Sequence, residues 1–216
     1  MAIIKSLLII TGWIFICLSV SILSRKIFPS QKELSRKIVH IGIGPIIPMA
    51  WWLGIPKLIA ISASSIITFA IIINYQFRFI AEVEDVSRKS YGTIAYATSI
   101  TILLFIFWPE NASIVSAAVL SMAFGDGLAG LVGPQIKSKT WKVFNQTKSV
   151  AGTLTMMFVV MLILFAIPMI SGLPINPLRI LTITSLAVIM EQISFWGVDN
   201  LTVPISIAIT WGWMTN

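Results

Sequence analysis

The chain has 216 residues, of which 57% are hydrophobic and only 11% are charged, and its formal net charge is +7. Soluble domains carry roughly a quarter charged residues, so this composition excludes an ordinary soluble domain and indicates a membrane protein. A chain of this length cannot hold about eight spanning helices and a soluble domain as well. We therefore expect a single transmembrane domain over residues 1–216.

Apolar runs of about 16 to 22 residues, separated by short polar stretches, predict transmembrane helices. No alternating pattern typical of barrel strands occurs, so the predicted fold class is all-α: a polytopic membrane helix bundle with about seven or eight spans. The second and eighth predicted helices are short enough to be partial or re-entrant. The predicted spans are Ile3–Leu23, Ile38–Leu53, Lys57–Tyr75, Gly92–Trp108, Ala112–Val132, Val150–Ile170, Leu178–Trp196 and Leu201–Trp213.

Positive charge orients this predicted bundle. Of the 15 Lys and Arg residues, all but Lys5, Lys57 and Arg179 fall at one end of the predicted helices. The positive-inside rule places that end in the cytoplasm and both termini outside. Because the basic residues lie in short juxtamembrane segments, they report on topology and anionic lipid, and they argue against nucleic acid as a partner.

KELSRKIVH is the first segment in the chain whose polar residues are informative. Helical spacing brings Glu33 near Lys37 and Arg36 near His40. Two fixed cations and the only histidine on one helix face suit phosphate binding. Anchoring at the membrane interface is the alternative explanation for such a basic segment.

The segment AEVEDVSRKSYG carries mixed charges and leads into the next predicted helix. Such a loop is often only a solvated connector. Tyr91, at the helix entrance, is suited to line an interfacial pocket, and Arg88 precedes it by three residues. We expect Tyr91 and Arg88 to contact substrate.

Asp126 lies in an apolar segment, AFGDGLAGLVG, where a carboxylate costs about 2.5 kcal/mol or more at the helix centre. Glycines surround it and permit close helix packing. A basic loop follows and ends at Lys148 and Ser149, just before a helix predicted to begin at about Val150. Free amides at that helix start, with Gly152 permitting close approach, are expected to bind an anion. No GxxxxGK[ST] sequence occurs, so this is not a P-loop site.

Three further polar residues lie near the same end of the chain's last two predicted helices. Glu191 is inside an apolar helix, where an unpaired carboxylate would be costly. Asp199 and Asn200 stand at the turn into the last helix, where an N-cap accounts for one of them. Asp126 and Asp199 together would supply the one or two carboxylates that Mg²⁺ prefers beside phosphate oxygens.

These segments, in order, resemble the family of CTP-dependent polyprenol, dolichol and phytol kinases, which is related to the phosphatidate cytidylyltransferases. The blocks that carry the resemblance are RKIVHIGIG, RKSYGTIAY, AFGDGLAGLVG, NQTKSVAGT and DNLTVP. The short length and the KSVAGT form are most similar to the phytol kinases. That resemblance implies transfer of the γ-phosphate of CTP to phytol, with geranylgeraniol as a further possible alcohol. It also implies a cell or thylakoid membrane of a photosynthetic organism, where phytol from chlorophyll is salvaged towards tocopherol.

The resemblance also implies roles for the residues named above. Asp126 and Asp199 would hold Mg²⁺ on the triphosphate, while Asn200 orders the turn. Arg36, Lys37 and Lys148 would neutralise phosphate charge, and Ser149 and Gly152 would contact phosphate oxygens. The alcohol proton would pass to His40, Glu191 or one of the aspartates, a choice that the sequence leaves open.

Two other functions remain open at this point. A cytidylyltransferase-like enzyme would join CMP to phosphatidate and release pyrophosphate. A small ion-coupled transporter would use Asp126 and Glu191 to bind protons or ions, although the nearly uncharged outer loops disfavour it. The sequence carries no signal for an oligomeric state.

Overall fold

A computed structural model describes residues 2–77, 91–144 and 146–215. The described residues form a helical bundle with one small hairpin. The helices are α1 (Ala2–Ile27), α2 (Lys32–Ile43), α3 (Ile46–Trp52), α4 (Lys57–Phe77), α5 (Gly92–Phe107), α6 (Ala112–Leu120), a π-helical segment (Ser121–Asp126), α7 (Gly127–Val132), α8 (Val150–Ser171), α9 (Pro177–Ile193) and α10 (Asp199–Thr215). The strands are β1 (Thr140–Val143) and β2 (Gln146–Ser149).

The chain is an all-α helical membrane protein, as predicted. Within the described residues, four helical stretches are long and apolar enough to cross a bilayer: Ile3–Ile27, Lys57–Phe77, Ala112–Val132 and Val150–Ser171. α5 is a shorter apolar helix of 16 residues. The outer helices α1 and α4 expose many large apolar side chains, as lipid-facing helices do. A total of seven or eight spans stays a prediction.

The helix predicted over Ile38–Leu53 is in fact two helices, and this part of the prediction is wrong. α2 begins earlier, at Lys32, and ends at Ile43, and α3 begins after Gly44 and Pro45. Proline has no N–H for the helical ladder, but its fixed φ suits the start of a helix. The break leaves α2 free to lie against the π-helical segment and α7.

The core of the bundle is α6 and the helices around it. α6 packs against α3, α5, α8 and α10, and its central residues Val115, Ala117, Ala118 and Val119 have no exposed surface. Small side chains allow such close helix packing inside a membrane protein. Trp108 is also buried, and its Nε1 donates to Ile55 O at 2.9 Å, so this tryptophan packs inside the bundle instead of facing lipid.

β1 and β2 pair as an antiparallel hairpin where the sequence predicts only a basic loop. Its register pairs Thr140 with Ser149 and Trp141 with Lys148. The second strand runs directly into α8, as the predicted helix start at Val150 requires. The hairpin therefore fixes the direction of Lys148 relative to the bundle.

Gly44 offers a test of the packing between the α2–α3 junction and the π-helical segment. A Cβ at Gly44 would lie 2.5 Å from Ala123 Cβ, an atom that moves only with its backbone. We expect Gly44→Ala to lower the free energy of unfolding by about 1–3 kcal/mol, measured by thermal unfolding in detergent. Gly12→Ala in α1 is the matched control, since a Cβ there meets nothing within 4 Å. Equal unfolding midpoints for the two variants would contradict this packing.

Candidate active site

A polar cavity of about 540 Å³ opens at one end of the bundle, between α2, α7, the hairpin and the ends of α8, α9 and α10. This volume falls in the range of small-molecule sites, roughly 300–1,000 Å³. Most of the residues selected from the sequence line it, although they are far apart in the chain. They are Arg36, Lys37, Asp126, Lys148, Ser149, Gly152, Glu191, Asp199 and Asn200.

Lys37 and Asp126 form a mostly buried ion pair in this cavity. Lys37 Nζ donates to Asp126 Oδ2 at 2.5 Å and to Asp126 O at 3.1 Å. Gly130 makes room for this contact, because a Cβ there would lie 2.7 Å from Lys37 Cε. Gly127, one turn earlier, similarly admits Ile41 of α2. The glycines after Asp126 thus bring α2 close enough for its lysine to reach the intramembrane carboxylate.

His40 lies one turn beyond Lys37 and approaches the same oxygen of Asp126. Its Nε2 is 3.3 Å from Met122 O and 3.5 Å from Asp126 Oδ2. Its ring packs against Tyr96 of α5, with ring centroids 4.4 Å apart. The π-helical segment supplies both Met122 and Asp126, and such segments often occur at functional sites. Arg36 pairs with Glu33, Nη2 to Oε2 at 2.8 Å, on the exposed side of α2.

Lys148 and Glu191 form a second ion pair on the opposite wall. Lys148 Nζ donates to Glu191 Oε1 and, at 3.1 Å, to Glu191 O. Gln192 Nε2 donates to Glu191 Oε2 at 2.6 Å and to Thr153 Oγ1 at 2.9 Å. Glu191, for which the sequence shows no partner, is therefore bonded by Lys148 from the hairpin and by the side-chain amide of Gln192.

The start of α8 does not present free amides, so that expectation is wrong. Each of its first three amides is bonded within the chain: Val150 N to Lys139 O at 3.0 Å, Ala151 N to Ser138 Oγ at 3.2 Å, and Gly152 N to Ser149 Oγ at 3.1 Å. Ser149 acts as an N-cap, which uses its hydroxyl oxygen. An anion here would contact the Ser149 and Gly152 surfaces and the nearby cations.

Asp199 and Asn200 supply oxygen atoms that fit a hard cation. Asp199 is 6% exposed, and no Lys or Arg within the described ranges forms an ion pair with it. Asn200 Nδ2 donates to Gly92 O at 2.9 Å, and the buried Asn200 Oδ1 has no partner among the described residues. Mg²⁺ prefers such oxygen ligands. The residues present therefore fit a magnesium ion whose remaining ligands are water or phosphate.

The balance of charge on the wall of the polar cavity also favours a metal ion. Among the described residues that line it, three cations (Arg36, Lys37, Lys148) face four carboxylates (Glu33, Asp126, Glu191, Asp199). An anionic ligand would meet no excess of positive charge on this described part of the wall, so a metal ion would favour its binding. The described residues contain no group of three or more His, Cys, Asp or Glu side chains placed to hold a metal alone. A metal here would need ligands from the bound anion.

A second cavity, of about 270 Å³, adjoins the first and is almost wholly apolar. Side chains from α1 to α5 line it, among them Leu7, Ile67 and Tyr96, and His40 forms part of its wall. Arg36 and Asn200 line both cavities. The two cavities therefore meet near Arg36 of α2 and Asn200 of α10.

One substrate candidate from the sequence, Tyr91, is not brought to these cavities. Tyr91 lines neither of them; its side chain is exposed, and its ring lies 5.4 Å from that of Tyr75. Arg88 lies outside the described residues.

Comparison with known proteins gives three relatives. The chain is 37% identical over 185 residues to a phytol kinase of Synechocystis sp., covering 83% of this chain and 78% of that protein. It is 30% identical to "Probable phytol kinase 2, chloroplastic" of Oryza sativa subsp. japonica and 28% identical to "Probable phytol kinase 3, chloroplastic" of Glycine max. Each match covers 58% of this chain but less than half of the plant protein. No family model and no solved structure matches the chain.

This chain belongs to the phytol kinase family. The Synechocystis relative is similar over most of both chains, so the membership rests on most of the chain and not on one motif. The resemblance drawn from the five sequence blocks is thereby confirmed.

The sequence analysis does not identify three residues of the candidate site: Tyr96, Thr153 and Gln192. Thr153 and Gln192 belong to the hydrogen-bond cluster of Glu191, and Tyr96 packs against His40. Gln192, next to Glu191 in an apolar helix, was a detectable signal, because buried polar groups need partners. Tyr96 gave no such signal, since a tyrosine in an apolar helix is common.

The Lys37–Asp126 pair predicts a coupled loss of stability. We expect Asp126→Asn and Lys37→Met each to lower the free energy of unfolding by about 3 kcal/mol, because each leaves a buried charge without its partner. The double variant should lose less than the sum, with a coupling of about 1 kcal/mol or more. Thermal or denaturant unfolding in detergent, without nucleotide or metal, measures the cycle. Additive losses would show that the pair does not stabilise the fold.

Proposed function

We propose that this chain is a membrane kinase that transfers the γ-phosphate of CTP to phytol, giving phytyl phosphate. The observation that carries the proposal is the meeting of an apolar cavity and a charged polar cavity at one end of the bundle, with Arg36 and Asn200 in both walls. A lipid alcohol and a nucleotide need these two environments side by side. The relatives named phytol kinase support the choice of alcohol.

The polar cavity would take the triphosphate together with Mg²⁺. Asp126 and Asp199 are the carboxylates we assign to the metal, and the unpartnered Oδ1 of Asn200 is a further oxygen available to it. Bound Mg²⁺ would neutralise phosphate charge and stabilise the charge that develops during phosphoryl transfer. Lys37, Lys148 and Arg36 would contact phosphate oxygens, with Ser149 and Gly152 at the edge of the cavity. The donor base is assigned as cytosine on the resemblance to the CTP-dependent family.

The apolar cavity would hold the part of the isoprenoid chain that adjoins its hydroxyl group. α1 packs on α2 and α3, whereas α4 packs on α5, so α1 and α4 form two separate walls of this cavity. Leu7 of α1 and Ile67 of α4 both line it while remaining partly exposed at the surface of the bundle. A long alcohol can therefore enter from the bilayer between these helices, with the end of its chain left in lipid.

His40 is the proton acceptor that the geometry favours. Of the candidates His40, Glu191, Asp126 and Asp199, it is the one that lines the apolar cavity, where the alcohol would lie. Its Nε2 faces Met122 O and Asp126, so Nε2–H would donate there and leave Nδ1 as the acceptor. Glu191, held by Lys148 and Gln192, is better placed to orient the lysine than to take a proton.

We place the site on the cytoplasmic side of the membrane. The polar cavity is lined by Lys37, Lys148 and the basic hairpin, which belong to the positively charged end of the bundle. Nucleotides are cytoplasmic or stromal solutes, so this orientation gives them access. The plant relatives carry "chloroplastic" in their names, which supports a membrane of a photosynthetic cell.

The direct test incubates purified protein in detergent with Mg²⁺ and γ-labelled CTP, ATP, GTP or UTP. The alcohols are phytol, geranylgeraniol, dolichol and diacylglycerol. We expect label in phytyl phosphate with CTP as the preferred donor, release of CDP, and loss of transfer when Mg²⁺ is chelated. Asp126→Asn, checked for retained folding, should be inactive because it removes a metal ligand.

A parallel reaction with α-labelled CTP and phosphatidate tests the cytidylyltransferase alternative. CDP-lipid and pyrophosphate as products, without phytyl phosphate, would overturn the kinase proposal. Transfer from ATP in preference to CTP would overturn the assignment of the donor alone.

Filling the apolar cavity tests where the chain binds. Ala63 of α4 lines this cavity and is exposed within it, so Ala63→Phe adds a ring without displacing the core. We expect kcat/KM for phytol to fall about tenfold or more while KM for CTP is unchanged. Ala70→Phe is the matched control, an equal substitution on the exposed face of α4 outside the cavity. Equal effects of the two variants would place the chain elsewhere.

A further inference from the structure

Tyr96 of α5 carries a buried hydroxyl that has no hydrogen-bond partner. The residue is 5% exposed, and its hydroxyl oxygen contacts no donor or acceptor among the residues that the structure describes. A hydroxyl removed from water without a partner is unfavourable, and tyrosine hydroxyls in protein interiors are normally bonded. Phenylalanine would fill the same space without that cost. The hydroxyl group therefore calls for an explanation beyond packing.

The position of Tyr96 suggests what the partner is. Tyr96 lines the apolar cavity, and its ring packs against His40, the proposed proton acceptor. The same helix, α5, provides Gly92 O, which holds the amide of Asn200 at the border between the two cavities. Tyr96 thus lies in the wall of the apolar cavity, against His40 and one helical turn from the residue that holds Asn200.

We propose that the Tyr96 hydroxyl is the hydrogen-bond partner of the substrate's own hydroxyl group and sets the depth at which the alcohol binds. This inference rests on the proposed function, because it assigns the place of the alcohol in the same site. Tyr96 O–H donates to the alcohol oxygen, and the alcohol O–H is left to donate to His40. An alcohol satisfies both groups at once, because its oxygen both accepts and donates. A hydrocarbon of the same length satisfies neither.

As a consequence, the site would select lipids by the chemistry of their polar end. The rest of the apolar cavity binds the chain through contacts that do not distinguish an alcohol from an alkene. A site built to bond a hydroxyl rejects the analogue that lacks it, because its own polar group is then left unpaired. Tyr96 would therefore favour molecules that carry the reacting group over the many hydrocarbon chains of the surrounding bilayer.

The test removes the hydroxyl group from the protein and, separately, from the ligand. Equilibrium binding of labelled phytol, without nucleotide, is measured for the wild type and Tyr96→Phe, and a phytene hydrocarbon that lacks the hydroxyl serves as competitor. We expect Tyr96→Phe to weaken phytol binding about 3- to 10-fold and to leave phytene binding unchanged. The thermal midpoint of the unliganded variant should be equal or higher, since an unpaired polar group has been removed. With CTP present, KM for phytol should rise while KM for CTP stays the same.

Tyr75→Phe is the matched control, the same loss of a hydroxyl from a tyrosine that lines neither cavity. It should leave the preference for phytol over phytene unchanged. A wild type that phosphorylates phytol, with the same phytol-to-phytene preference in Tyr96→Phe, would overturn the assignment of Tyr96 alone. A wild type that neither binds nor phosphorylates phytol would overturn the proposed function as well.

Discussion

The arrangement of the site depends on how an apolar bundle accommodates Asp126. A carboxylate in a membrane helix requires a partner, and the partner, Lys37, comes from a different helix. That contact requires α2 to approach α7 closely, which the glycines at 127 and 130 allow. It also requires α2 and α3 to be separate helices, which the break at Gly44 and Pro45 allows. The packing at this end of the bundle therefore accommodates a single electrostatic requirement, the partner of Asp126.

The second ion pair gives the opposite wall of the cavity a similar construction. Lys148 comes from a short hairpin and Glu191 from a membrane helix, so an element outside the apolar core satisfies a charge within it. Each wall thus combines one carboxylate from a helix with one lysine from an adjacent element. The two walls enclose a space that is polar although its surroundings are apolar, which is the environment in which electrostatic stabilisation is strongest.

The sequence predicts the polar residues of the site better than the backbone that carries them. Asp126 and Glu191 are recognisable because charge is costly in apolar helices, and Asp199 because it stands at the turn into the last helix. All three line one cavity. The split between α2 and α3 falls at Gly44 and Pro45, where the proline is a local signal but the predicted span continues through it. The hairpin forms from a segment whose charges suggest a loop, and its pairing depends on how β2 continues into α8. Tyr96 becomes informative only once its hydroxyl is seen to lack a partner.

The balance of charge in the polar cavity has a further consequence for the order of assembly. The lysines are already paired with carboxylates, so a triphosphate alone would compete with Asp126 and Glu191 for them. A metal ion alone would meet oxygen atoms but also two nearby ammonium groups. A metal–triphosphate complex satisfies both sets, because its metal takes the carboxylate oxygens while its phosphates take the released lysines. If the proposed function holds, the site would bind nucleotide and metal as one unit, with the lipid alcohol approaching separately through the apolar cavity.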